Sequence, residues 1–237
     1  MTWVHAGYAG LWGGLLALER NAFLQAMFSR PLVAATGAGL LLDDLHSGLF
    51  VGLFFELFHL GGASLGGARP DYETLPAVTA TAASAAMANA AGSAGTPALW
   101  TLGILLFAPM GPVGAALERR LDRRAARYQT RAISSASSGQ LDRAARQNLR
   151  AMWPHFLFFG LISSAAWVFG RLLGPVEQQL PLNVVRGLAW AYPALCSVAA
   201  AVAVRGSRAR AAPQLAIGAA ALVTVAAAMV ALWGGAP

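Results

Sequence analysis

Lysine is absent from this 237-residue sequence; all seventeen basic residues are arginine. Acidic residues are scarce, ten in all, and charged residues make up 11% of the chain against about 25% in an average soluble domain. That poverty of charge excludes an ordinary soluble fold. The one cysteine, Cys196, excludes disulfides within the chain and any cysteine-based metal site. Its plain reading is a small buried hydrophobe in an apolar helix. No Walker-type, Rossmann or zinc motif occurs, so no cofactor is expected. No short apolar region followed by a small-residue cleavage site stands apart at the start, so the first apolar run is expected to stay as a spanning helix.

What is present is apolar and helical in pattern. Hydrophobic residues reach 57% and the mean hydropathy is +0.56. Successive long apolar runs point to one all-α polytopic membrane domain over residues 1–237. Six spans are expected, at 3–18, 78–91, 98–117, 152–173, 187–204 and 213–233. Pro109 and Pro112 should kink the third. The 78–91 run, VTATAASAAMANAA, suits a helix packed against protein, with Thr79, Thr81, Ser84 and Asn89 either lining a polar path or simply packing. Residues 22–30 read as an interfacial helix with Phe23, Leu24 and Met27 on its apolar side.

The net charge of +7 could mean nucleic acid. The arginines instead cluster between hydrophobic runs, as topology signals do, so no nucleic-acid partner is expected. Residues 119–150 hold nine of the seventeen and face the cytoplasm by the positive-inside rule, with helices on either side of 134–139. This segment separates an N-terminal half, 1–118, carrying the presumed site, from C-terminal helices at 151–237.

The chain is organised around residues 30–73, which hold half of the acidic residues (Asp43, Asp44, Glu56, Asp71, Glu73), two of the four histidines (His46, His59) and many glycines. Carboxylates at membrane depth cost several kcal/mol and usually mark a pathway or binding site. Residues 31–42 and 47–60 are each too short to cross comfortably and read as a helical hairpin that enters the membrane and turns back. Asp43 or Asp44 could cap the second arm; the alternative is that they sit at a water-exposed turn. Glu56-x-x-His59 puts a carboxylate and an imidazole on one helix face, with Asp44 and His46 nearby. There is no second such helix, so no metal site is expected.

These residues also carry a resemblance. Gln25, Arg30-Pro31-Leu32-Val33, Asp44 with Gly48, Gly52 with Glu56, Leu60-Gly61, Gly66-Gly67 and Pro70-Asp71 follow in order. The stretch resembles the signature region of the membrane-embedded IIC subunit of the mannose/fructose/sorbose family of sugar phosphotransferase systems. The resemblance covers residues 10–90 well and the rest mainly in hydropathy. It implies an elevator-type transporter core in the bacterial inner membrane that carries a hexose. It implies a membrane partner, IID, cytoplasmic IIB and IIA subunits that pass phosphate to the sugar, and an oligomer of IIC–IID units. The chain would be no enzyme by itself and would bear no phosphorylated residue. Gln25, Asp44, Glu56, Ser64 and Asp71 would hydrogen-bond sugar hydroxyls. Arg30, His59, Arg69 and Glu73 would pair ions or pack around them. Two positions depart from the family pattern: Asp43 stands where glycine is usual, and the stretch before Asp71 is one residue short, with Arg69-Pro70 for a Pro-Pro-like pair. Those departures keep two alternatives open, a non-transporting scaffold or sensor, and an ion- or metal-coupled carrier using Asp44, Glu56 and the histidines. The N-terminus lies outside if 31–60 is re-entrant from the inside, and inside if 31–60 crosses once.

Overall fold

The computed structural model describes residues 2–21, 26–60, 72–177 and 179–206, with the isolated positions 217, 218 and 221. The expected last span, 213–233, therefore lies outside the described residues except at those three positions. Eight helices occur among the described residues: α1 (Thr2–Asn21), α2 (Pro31–Leu41), α3 (Leu45–Leu60), α4 (Thr74–Ala91), α5 (Pro97–Phe107), α6 (Met110–Ser137), α7 (Leu141–Glu177) and α8 (Leu182–Gly206). No strand occurs among the described residues.

Helix α4 is the axis of the bundle. Every residue from 74 to 88 is buried, and α7, α5, α2 and α3 pack around it. Its side chains are mostly Ala, Thr and Ser, and small side chains let neighbouring backbones approach. A Cβ added at Gly170 of α7 would lie 2.6 Å from Ala83 Cα, so α4 and α7 are in backbone contact there. Thr79 donates to the Leu75 carbonyl at 2.7 Å and Ser84 to the Leu99 carbonyl at 3.1 Å. These hydroxyls are spent on backbone, which favours packing over a polar path.

Helices α2 and α3 form the expected hairpin. They pack antiparallel with Gly39 against Gly48: a Cβ on either would fall within 3.0 Å of the other's Cα. Both open ends of the hairpin, Pro31 and Leu60, lie where α6 leaves the bundle for the arginine-rich segment. Its closed end lies by the start of α1, where Asp43 meets His5 at 3.2 Å. Thr2 therefore sits at the opposite end of the bundle from the arginines. Residues 26–30 are bends and turns, with Met27 at φ 65°, so the helix expected over 22–30 does not form there. Residues 22–25 lie outside the described residues.

Among the described residues, two helices are long and apolar enough to cross a membrane, Leu141–Pro175 and Leu182–Val204. A third span results if Pro97–Phe107 and Met110–Ser137, bent by 41°, count as one. The break follows Phe107, where Pro109 and Pro112 interrupt the backbone ladder. Helices α1 and α4 are less apolar by composition because glycine, alanine and threonine fill surfaces that face protein. The fold is that of an all-helical membrane protein.

Candidate functional site at the ends of the helical hairpin

The carboxylates expected to form one site lie at two ends of α3. Asp44 precedes its first residue and Glu56 lies in its last turns, twelve residues on, or about 18 Å along the axis. One small ligand cannot touch both.

At the closed end, Asp44 is buried and acts as the N-cap of α3. One carboxylate oxygen accepts the Ser47 N–H at 3.1 Å and the other accepts the Ser47 hydroxyl at 2.6 Å. Ser47 Oγ in turn accepts the Trp100 indole N–H at 3.1 Å. The Trp100 ring stacks on Phe50 with centroids 4.2 Å apart. Asn89 of α4 donates to the Leu42 carbonyl at 3.2 Å and ties the turn down. Asp43 points out, its side chain 79% exposed, with its backbone at φ 58°. The left-handed region favours glycine and tolerates aspartate, so Asp43 fits a turn at which glycine was the expected residue. The departure touches backbone conformation and leaves the buried Asp44 network intact. His46 is exposed.

At the open end, Glu56 Oε1 lies 3.0 Å from Arg30 Nη2, and Oε2 accepts the Leu32 N–H at 3.2 Å. Leu32 is in the first turn of α2, whose amides have no partner within the helix, and a carboxylate there also meets the positive end of the helix dipole. Arg30 is half exposed and Glu56 partly buried. His59 turns away: its Nδ1 lies 2.9 Å from the Phe55 carbonyl and its ring packs on Phe55 and Phe58.

A second cluster sits at the same end. Glu19, buried at the end of α1, accepts the N–H groups of Phe28 and Ser29 at 3.2 and 3.0 Å. The Thr74 hydroxyl donates to the Ser29 carbonyl. Arg20 lies 3.5 Å from buried Glu118 and 3.9 Å from Glu73, with its guanidinium 4.7 Å above the Tyr72 ring. Burial pushes the Tyr72 phenol well above its usual range, so it stays neutral beside this ion cluster. Glu19, Arg20 and Glu118 escaped sequence reasoning because each reads locally as the polar end of a span. The available signal was that charges flanking apolar runs must find partners once the helices pack.

Gln25, Ser64, Arg69 and Asp71 lie in 22–25 and 61–71, outside the described residues. The helix ends that flank those segments, Asn21, Leu60 and Thr74, are all at the Glu56 end of the bundle. Among the described residues no three of His, Cys, Asp or Glu converge as metal ligands would.

The family description "PTS system sorbose-specific IIC component" (EII-Sor) matches residues 3–205. The chain belongs to this family. EII-Sor proteins are sugar-specific IIC permease subunits of phosphotransferase systems, and that is the function class of this chain. The motif run from Gln25 to Asp71 thus pointed to the right family. Two solved structures are similar to this EII-Sor chain. One, titled only a membrane protein, is 21% identical over 100% of this chain and 94% of its own, with a TM-score of 0.63, and supports the fold. The other, a cryo-EM structure of the mannose transporter ManYZ with microcin E492 (MceA), is 20% identical over the same shares with a TM-score of 0.49. No curated protein matches the chain.

Proposed function

We propose that this IIC subunit carries a hexose across the bacterial inner membrane, and that a IIB subunit phosphorylates the sugar on arrival. The observation that carries the reading is the EII-Sor match over residues 3–205. The chain supplies passage and binding only. In this reading it bears no phosphorylated residue, and IIA serves IIB in turn. A IID subunit is its membrane partner, with IIC–IID units assembling further. The α2–α3 hairpin belongs to a mobile core that moves as an elevator within one domain.

The open end of the hairpin is the proposed sugar-facing site. Glu56 there combines a carboxylate with a half-exposed Arg30, a pair that can trade contacts with sugar hydroxyls. Gln25, Ser64 and Asp71 belong to segments joined to that same end and would complete the hydroxyl contacts. Asp44 has both carboxylate oxygens engaged by Ser47 and acts as a cap that shapes the hairpin.

Sugar uptake by membrane vesicles, with and without the phosphoryl donor chain, tests the function. Uptake that requires the donor chain supports phosphotransfer-linked transport. Normal assembly with no sugar binding or uptake would instead identify a scaffold that kept the fold.

A further inference from the structure

Helices α6 and α7 continue past the bundle as a two-helix arm. The last buried residues before it are Leu121 and His155, where the two helices are joined by His155 and Asp122 at 3.3 Å; from residue 122 to residue 154 no residue is buried. Helix α7 has 37 residues, so it is about 55 Å long against a hydrocarbon core of about 30 Å. About 25 Å of it stands beyond the core on the arginine side. The arm carries seven arginines against Asp122 and Asp142, so at most two of the seven positive charges are neutralised within it.

Its half-covered seam runs through Ala125, Tyr128, Ala132, Ser135, Ala144 and Gln147, mostly small or polar, with Tyr128 its one large ring. Large apolar side chains stand out in the open instead: Ile133, Leu141 and Leu149 are each more than 60% exposed. Beside them is an open groove of about 820 Å³ at the far turn, lined by Gln140, Arg143, Arg146, Gln147 and Arg150 among others. The Gln147 side-chain oxygen Oε1 is buried there without a hydrogen-bond partner.

We propose that the far face of this arm is a docking surface for an acidic soluble protein. Three features select that occupant. The net positive charge asks for an acidic surface. Arginine interleaved with exposed Leu and Ile is the composition of a protein interface and not of a merely solvated face. Distance argues against lipid: a bilayer's surface potential decays over a Debye length of about 8 Å, well short of the arm's reach. Resting on the transport reading above, the occupant is the phosphoryl-donating subunit, which the arm would hold over the bundle's open end.

The test uses the full chain in phosphatidylcholine nanodiscs. The probes are the IIB protein of the same organism and a polyglutamate peptide. The variants are R143Q/R146Q/R150Q at the far turn and R119Q/R120Q at the base. The far-turn variant should weaken IIB binding at least tenfold and flatten its salt dependence, with the base variant much closer to wild type. Equal IIB binding by wild type and far-turn variant would overturn the proposal and leave the transport reading standing. Polyglutamate binding lost in the far-turn variant, with no IIB binding to any form, would uphold an acidic-protein surface while removing the phosphotransfer reading. Loss of binding to phosphatidylglycerol vesicles alone, with neither protein probe bound, would assign the arm to lipid and overturn the proposal. Sugar binding, measured alongside, should be unchanged in both variants.

Discussion

At residue 43 the backbone sits at φ 58°, and that one angle explains why an aspartate can replace a glycine in the turn. Asp43→Gly should leave thermal stability unchanged or slightly higher, because the exposed pairing with His5 contributes little. Asp43→Val should lower stability by about 1–2 kcal/mol, the cost of a β-branched residue in left-handed backbone. Equal melting temperatures for the two variants would show that the turn does not hold this angle. Glu56 makes a different prediction. Glu56→Gln keeps an acceptor for the Leu32 N–H but gives up the charge-assisted contact with Arg30, which half-exposure already dilutes. Its stability should drop by no more than about 1 kcal/mol, whereas lost charge-assisted bonds to sugar hydroxyls should cut affinity by about tenfold or more. Melting curves and sugar titrations on the same sample separate the two effects. Intact affinity would remove Glu56 from the site.

Between elements, contact is set by what the helices lack. Gly170 lets α7 reach the Ala83 backbone of α4, and neither side has a flexible side chain that could give way. Gly170→Ala should cost about 1–3 kcal/mol by overpacking. Gly187, inside α8, has open space where a Cβ would go, so Gly187→Ala should stabilise by about 0.5–1 kcal/mol through helix propensity. Thermal unfolding in detergent should move in opposite directions for the two changes. A melting temperature unchanged or raised by Gly170→Ala would mean that α4 and α7 are not in backbone contact.

For the whole molecule the outcome is an orientation. Both ends of the α2–α3 hairpin and the arginine-rich arm share one end of the bundle, and the start of α1 occupies the other. The positive-inside rule would place the arm in the cytoplasm. A cysteine at Ser137 should therefore react with a membrane-impermeant reagent only from the cytoplasm, and one at Trp3 only from outside. Cys196 is buried and gives no background labelling. Labelling of both positions from the same side would contradict the re-entrant hairpin.

Family, fold class and hairpin were legible in the sequence because each has a local signature. Apolar runs of 11 and 16 residues cannot comfortably cross, the spaced motif from Arg30 to Glu56 is contiguous, and charge asymmetry around residues 119–150 needs no partner to be seen. The pairing of charges was not legible. Glu56-x-x-His59 looked like a joint site, yet the helix turns His59 onto Phe55 and hands Glu56 to Arg30, twenty-six positions earlier. Asp44 and Glu56 looked like members of one cluster, yet the length of α3 holds them apart. Arg20 meets Glu118 only because α1 ends at the level where α6 leaves the bundle. A lone charge beside an apolar run states that a partner is needed and not which one. That choice belongs to the packing, since a buried charge is stabilised by whichever opposite group the fold brings within hydrogen-bond reach.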